Sequence, residues 1–335
     1  MNIILFFLIL SLGLILNYIS ITNKLFLNLT GDIHQKFVSS ESVPLLGGII
    51  LILTSYFYID LSNFIFIFSI SFIFCIGFLS DIKKIKSPKL RLFFQILIVY
   101  TFIHFSSIVV PPTNILLLDY LLDNTSFQIV FTIFCILVVI NGFNFIDGIN
   151  TSVIGYCLII SFSLYYLELN GIQVSQILDL LSLISILVAI FILNCFNKLY
   201  LGDGGSYLLG LLFTTCLIDT YQINDSMSSL FIVSLLWYPA FENLFSILRK
   251  IKFSISPVNP DNNHLHQLIF SHLKKIFDSN NFYVNTLTGF LINLYNLLSI
   301  MLATQFYNNT QAQILIIMFN LFFYIFVYLR LKNKN

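Results

Sequence analysis

The stretch LYLGDGGSYLLG, residues 199–210, sets a carboxylate among glycines at the mouth of a long apolar run. A charge beside a membrane-length apolar segment is expensive and implies a task. Asp203 has company. Asp81 follows Ser80 at the end of another apolar run, in GFLSDIKKIKSPKLRLFFQ. NGFNFIDGIN (141–150) carries Asn141, Asn144, Asp147 and Asn150, and SPVNPDNNHLHQLIF (255–269) carries Asp261, His264 and His266. Asp32, His34, Gln35 and Lys36 precede VPLLGG (43–48). Carboxylates at the ends of apolar runs are hard oxygen donors, suited to Mg²⁺ rather than zinc. The glycines around Asp203, Gly204 among them, allow backbone amides close to a phosphate, and the helix that follows adds a partial positive charge. Lysines and histidines nearby can neutralise phosphate oxygens. Acids, amides and cations at a bilayer surface suit phosphoryl transfer to a lipid acceptor.

Each motif has a plainer reading. LGDGGS is equally an ordinary turn with Ser206 capping the next helix. His-x-His fits two solvated side chains, and the lysines fit anchors for anionic lipid. His104 and His272 are expected to be an interhelical packing residue and a solvated loop residue. The set as a whole is harder to dismiss, because short connections between membrane spans do not need three aspartates, several asparagines and a histidine pair.

The elements that must position these residues follow from hydropathy. The 335-residue chain is 58% hydrophobic and only 9% charged, far from a soluble globule. Its net charge of +1 gives no reason to expect a nucleic-acid partner. Cys75, Cys135, Cys157, Cys195 and Cys216 lie in apolar runs without metal-ligand spacing and read as packing residues. The expected fold is all-α, one polytopic transmembrane domain over 1–335, with no separate soluble domain. Eleven apolar runs qualify as spans: 3–19, 44–59, 63–79, 92–110, 127–142, 152–168, 177–196, 206–221, 228–247, 287–305 and 312–330. All 16 Lys and Arg fall in one alternating set of connections, or with Arg330 at its border: 20–43, 80–91, 143–151, 197–205, 248–286 and the tail. The positive-inside rule then puts that set in the cytoplasm and the N-terminus outside. Every motif above lies on the same, inner, face.

The five motifs, in this order, resemble those of the polyprenyl-phosphate N-acetylhexosamine-1-phosphate transferases, the glycosyltransferase-4 family that includes the phospho-MurNAc-pentapeptide transferase. QKF…VPLLGG is similar to the first family loop and SDIKKIKSPKLRL to its acidic second motif. NGFNFIDGIN resembles N-x-x-N-x-x-D-G, and KLYLGDGGSYLLG resembles K-x-F-x-G-D-x-G-S. YPAFENLFSILRK with SPVNPDNNHLHQL is similar to the last loop. The likeness runs from about Asp32 to Gln267. Three departures stand out: Ser80-Asp81 where the family often has Asp-Asp, Val38 where a histidine would fall, and Asn194 nine rather than ten residues before Asp203, with Phe196-Asn197 between. They suggest a branch serving surface polysaccharide (O-antigen, capsule or a similar polymer) rather than peptidoglycan.

The resemblance implies transfer of N-acetylhexosamine-1-phosphate from a UDP-sugar to undecaprenyl or a similar polyprenyl phosphate, with release of UMP, in the bacterial inner (cytoplasmic) membrane. It implies Mg²⁺, with Mn²⁺ as the alternative, and a homodimer is a further expectation. By residue, Asp203 and Asp147 are expected to hold the metal. Asp81 is expected to support it or to position the acceptor phosphate. Asn144 and Asn150 would orient the nucleotide, and Gly204 and Ser206 would line the substrate. His264 and His266 would contact diphosphate or sugar, with Asp261 orienting them, and Lys36 and Lys198 would meet phosphate. Glu242 resembles an acidic family position, or else pairs with Arg249 seven residues on. One rival reading, a transporter, suits acids at broken helices near the midplane, and those are nearly absent here. Another, a catalytically weakened homologue serving as a scaffold in glycan assembly, draws on Ser80 and Val38.

Overall fold

Lipid offers a backbone no hydrogen bonds, so spanning segments must satisfy their own. The described residues do so with helices. The computed structural model describes residues 2–27, 43–60, 62–254, 256, 263–277 and 281–333. Among them there is no strand, only three isolated bridge pairs. In chain order the helices are α1 (Ile3–Thr22), α2 (Gly47–Leu53), α3 (Phe64–Asp81), α4 (Pro88–Ser106), α5 (Leu116–Leu122), α6 (Thr125–Ile146) and α7 (Ser152–Leu169). They continue with α8 (Leu180–Cys195), α9 (Gly202–Gln222), α10 (Ser229–Lys252), α11 (Leu265–Ile276), α12 (Asn281–Gln305) and α13 (Thr310–Lys332). Eight of them, α1, α3, α4, α6, α7, α10, α12 and α13, are long and apolar enough to cross a bilayer. The protein is an all-α, multi-pass membrane protein.

Local sequence explains where these helices start. Asn2, Asn63, Asn124 and Asn309 each accept a hydrogen bond from a backbone N–H in the first turn of the helix they precede. Ser87 does the same for α4, with Pro88 at the first helical position where no N–H is needed. Tertiary order follows from who must avoid lipid. α9, rich in Gly and Thr, is buried along nearly its whole length, between α3 and α6. α1, α3, α4 and α13 instead turn large apolar side chains outward, such as Phe68, Phe72, Phe319 and Phe322. α12 packs on α7, and α13 on α10. Polar side chains join these helices: Asn293 donates to the Thr151 carbonyl, and Asn320 donates to Ser299 at 2.7 Å. Pro239 leaves the Leu235 carbonyl without its helical donor, and the Tyr156 hydroxyl of α7 supplies one at 2.8 Å.

The second expected span, 44–59, is not one helix. α2 has seven residues, roughly 10 Å of rise, and is followed by a 3₁₀ turn at Ser55–Phe57. Its start is extended because residues 44–48 pair with the chain before Asp203. Tyr200 N–H donates to the Pro44 carbonyl, and the Gly47 and Gly48 amides donate to Tyr200 and Leu201. An apolar run that looked like a span is instead partly a brace for the loop carrying Asp203.

Candidate active site

The last turn of α3 meets the first turn of α9. Gly202 opens α9 with φ +77°, a left-handed conformation that a side chain would strain. A Cβ there would also lie 2.7 Å from Asp81 Oδ2, so the glycine makes room for that carboxylate. Leu201, at the N-cap, offers no side-chain acceptor. Asp81 provides the cap from another helix: Oδ1 accepts from Asp203 N at 2.9 Å and Oδ2 from Gly204 N at 3.1 Å. A carboxylate on the first free amides of a helix also meets the positive end of its dipole.

That cap fixes the backbone of Asp203, and three side chains then fix its carboxylate. Oδ2 accepts from Ser80 Oγ at 2.7 Å and from Arg91 Nη1 at 2.9 Å. Oδ1 accepts from Asn144 Nδ2 at 2.7 Å. Arg91 also donates to Ser80 Oγ at 2.7 Å and reaches the Tyr207 hydroxyl at 3.4 Å. α3, α4 and α6 therefore converge on one acid of α9, whose side chain stays 28% exposed. Serine at position 80 lets the hydroxyl and guanidinium both turn to Asp203, where an aspartate would bring a second negative charge.

Asp147 caps the C-terminus of α6 one turn beyond Asn144. Among the described residues its side chain accepts no hydrogen bond. It keeps a narrow opening to solvent, yet it is enclosed by protein on most sides. Burial first, and the Asp203 and Asp81 charges after it, push its carboxyl well above the usual carboxylate range. On the far side of Asp147, His266 of α11 packs on Gly148, so tightly that a Cβ at Gly148 would collide with Nε2. His266 is 1% exposed, and neither ring nitrogen has a partner among the described residues. Burial, and then the neighbouring His264, push it down to about 3, so it is neutral at ordinary pH. His264 caps α11, stacks on His266 at 5.6 Å and touches the Phe145 ring at 5.3 Å.

The sequence-expected residues thus divide. Asp81, Asn144, Asp203 and Ser206 form one bonded group, with Asp147, His264 and His266 beside it. Two expectations change in kind. The amide of Gly204, expected near a phosphate, is taken by Asp81, because an uncapped helix start next to a carboxylate binds it. Ser206 is fully buried, hydrogen-bonded to Asn144 and the Asp203 carbonyl rather than lining open space. Asn150 does not join the group. Its amide N–H donates to Asn285 Oδ1 at 3.0 Å and its side chain to Asn197 and Thr286, which ties the loop after α6 to α12. Lys198 is exposed, in the connection between α8 and α9. Lys36 and Asp261 lie outside the described residues.

Arg91, Tyr207 and Tyr324 were not foreseen as parts of the site, and Glu242 was expected only to match an acidic family position or to pair with Arg249. Glu242, 1% exposed in α10, does not pair with Arg249; its Oε1 lies 2.9 Å from His264 Nδ1 and its Oε2 accepts from Tyr324 at 2.6 Å. The fit to a divalent cation rests on donor chemistry. Three carboxylates gather near one guanidinium, which leaves negative charge uncompensated, and Asp147 is the one without a donor among the described residues. No group of three or more His, Cys, Asp or Glu among the described residues has the spacing of a complete metal cage. Mg²⁺ needs none, since it is commonly held by one or two carboxylates plus phosphate oxygens and water.

Fold and site together define a multi-pass helical membrane protein with an acidic centre at its helix ends. Residues 63–221, from the start of α3 to the end of α9, match the family described as Glycosyl transferase family 4. That match agrees with the resemblance read from the motifs. Three curated relatives are each named undecaprenyl-phosphate alpha-N-acetylglucosaminyl 1-phosphate transferase. The Yersinia pestis protein is 27% identical over 43% of this chain and 41% of its own length. The Salmonella typhi protein is 25% identical over 68% of this chain and 65% of its own. The Thermotoga maritima protein is 26% identical over 70% of both. The matched stretch thus spans less than two thirds of the first two relatives.

Proposed function

We propose that this protein transfers an N-acetylhexosamine-1-phosphate from a UDP-sugar to a polyprenyl phosphate such as undecaprenyl phosphate, releasing UMP. The observation that carries the reading is Asp203: one acid at a helix start, held by Ser80, Arg91 and Asn144 from three other helices, with the enclosed carboxylate of Asp147 beside it. The names of the relatives support undecaprenyl phosphate as the acceptor and an N-acetylglucosaminyl 1-phosphate as the group transferred. The one-sided placement of the 16 Lys and Arg supports an orientation with this end in the cytoplasm of a bacterial cell.

The acceptor phosphomonoester has a second pKa near about 6 and is mostly dianionic at neutral pH, so it needs no strong base to attack. One of its oxygens bonds to the sugar-linked phosphorus while the bond from that phosphorus to the bridging oxygen breaks, and UMP departs with the electron pair. The obstacle is repulsion between two anions. Asp203 and Asp147 would hold Mg²⁺ (or Mn²⁺), which when bound supplies charge neutralisation for the diphosphate. Arg91 keeps Asp203 aimed and adds positive charge at the same point. Neutral His266 can donate to a phosphate or sugar oxygen from a buried position, and exposed Lys198 can approach a phosphate from solvent. The test is purified protein with polyprenyl phosphate, Mg²⁺ and a panel of UDP-N-acetylhexosamines. UMP and a lipid-linked sugar diphosphate should appear in equal amounts for at least one donor. Absence of UMP with every donor refutes the reading and favours a scaffold.

A further inference from the structure

A carboxylate 1% exposed inside a membrane-spanning helix needs partners, and Glu242 has two from outside its own helix. Tyr324, near the middle of α13, donates its hydroxyl to Oε2 at 2.6 Å. His264, the N-cap of α11, sets Nδ1 2.9 Å from Oε1. None of these three residues lies within 63–221, the stretch shared with the family.

We infer that Glu242, steadied by Tyr324, is a positioning residue that fixes the tautomer and aim of His264 at the catalytic centre. A carboxylate only accepts, so Nδ1 must carry the proton it donates to Oε1. The other nitrogen, Nε2, is thereby presented on the ring edge away from Glu242. Three further contacts place that ring at the site rather than in the core. It stacks on His266, which packs against Gly148 next to Asp147, and it touches Phe145, the neighbour of Asn144. The hydrogen bond from Tyr324 to Oε2 holds the carboxylate plane and leaves Oε1 for the imidazole. A backbone contact completes the clamp: the Gln267 side chain accepts from the His264 amide at 3.2 Å, which sets where α11 begins. A buried acid that only balanced charge would need none of this orientation. The inference rests on the transferase reading above for what His264 meets, and on geometry alone for how it is held.

The experiment uses the full chain in nanodiscs with UDP-GlcNAc as donor and undecaprenyl phosphate as acceptor. Histidine-selective nitrogen NMR of the wild type should show His264 protonated at Nδ1, and Glu242→Gln should abolish that signature. Glu242→Gln should lower kcat about 10- to 100-fold with the donor KM near its wild-type value, as loss of a partner behind a working side chain does. Tyr324→Phe should lower it by up to about tenfold, the effect of one hydrogen bond to a charged group. His264→Asn and the Glu242→Gln/His264→Asn pair should be equally slow, because Glu242 has nothing to aim once the ring is gone. An unchanged nitrogen signature in Glu242→Gln, or losses that multiply in the double variant, overturns the inference. Wild-type protein that releases no UMP refutes the transferase reading instead, and the nitrogen spectrum then still decides whether Glu242 orients His264.

Discussion

The two ends of the helical bundle both carry acids, and they use them differently. At the end where α3 begins, a cavity of about 620 Å³ is lined by Asp60, Glu168 and Asp179 among apolar residues. Asp60 accepts from the amide and hydroxyl of Ser62, two residues away. Asp179 caps α8 through Leu181 N and Ser182 Oγ, and Asp119 takes Thr113. At the other end of α3, roughly 27 Å away, Asp81 and Asp203 are bound by partners 59 to 123 residues distant. An acid that caps its own turn stabilises that turn. An acid that several remote helices agree to hold in one place marks a site, even where the larger cavity lies elsewhere.

Variants should separate the two ends. Asp203→Asn is expected to cost the most, about 10²–10³-fold in UMP release or more, since it removes the charge at the centre of the proposed site. Arg91→Lys should come next. A lysine cannot reproduce one guanidinium meeting Asp203, Ser80 and Tyr207 together, so a loss of about 10²-fold is expected despite the kept charge. Asp81→Asn leaves α9 half-capped and should lower stability by about 1–2 kcal/mol in thermal unfolding while slowing turnover through a displaced Asp203. Gly202→Ala should act the same way but through strain at positive φ and contact with Asp81, by about 1–3 kcal/mol. Asp179→Ala at the opposite end should cost only a cap, about 1 kcal/mol, with the folded protein turning over at its normal rate. A catalytic loss at Asp179 would break the comparison.

Much of this was legible in the sequence, for physical reasons. Hydropathy and charge partition place the acids at span ends, and ten of the eleven expected spans correspond to helices that overlap them. The eleventh, 44–59, fails because burial against the loop at Tyr200 makes a segment as apolar as lipid does. The gathering of Asp81, Asn144 and Asp203 could be expected from motif order. Arg91 could not: in KSPKLRL it reads as one more basic residue at a membrane edge, and only the packing of α4 on α3 turns it to Asp203. Glu242 and Tyr324 lie 82 residues apart and meet His264 through three helices, a link that no local period records. Asn150 misled for the opposite reason, since its partner Asn285 sits on α12, far from the motif that suggested a ligand.

The measurement that bears most directly on the account is UMP release by wild type, Asp203→Asn and Asp179→Asn in one assay with UDP-N-acetylhexosamine, polyprenyl phosphate and Mg²⁺. The account expects turnover in the wild type and Asp179→Asn and its near-complete loss in Asp203→Asn. Near-normal turnover in a folded Asp203→Asn protein would contradict it.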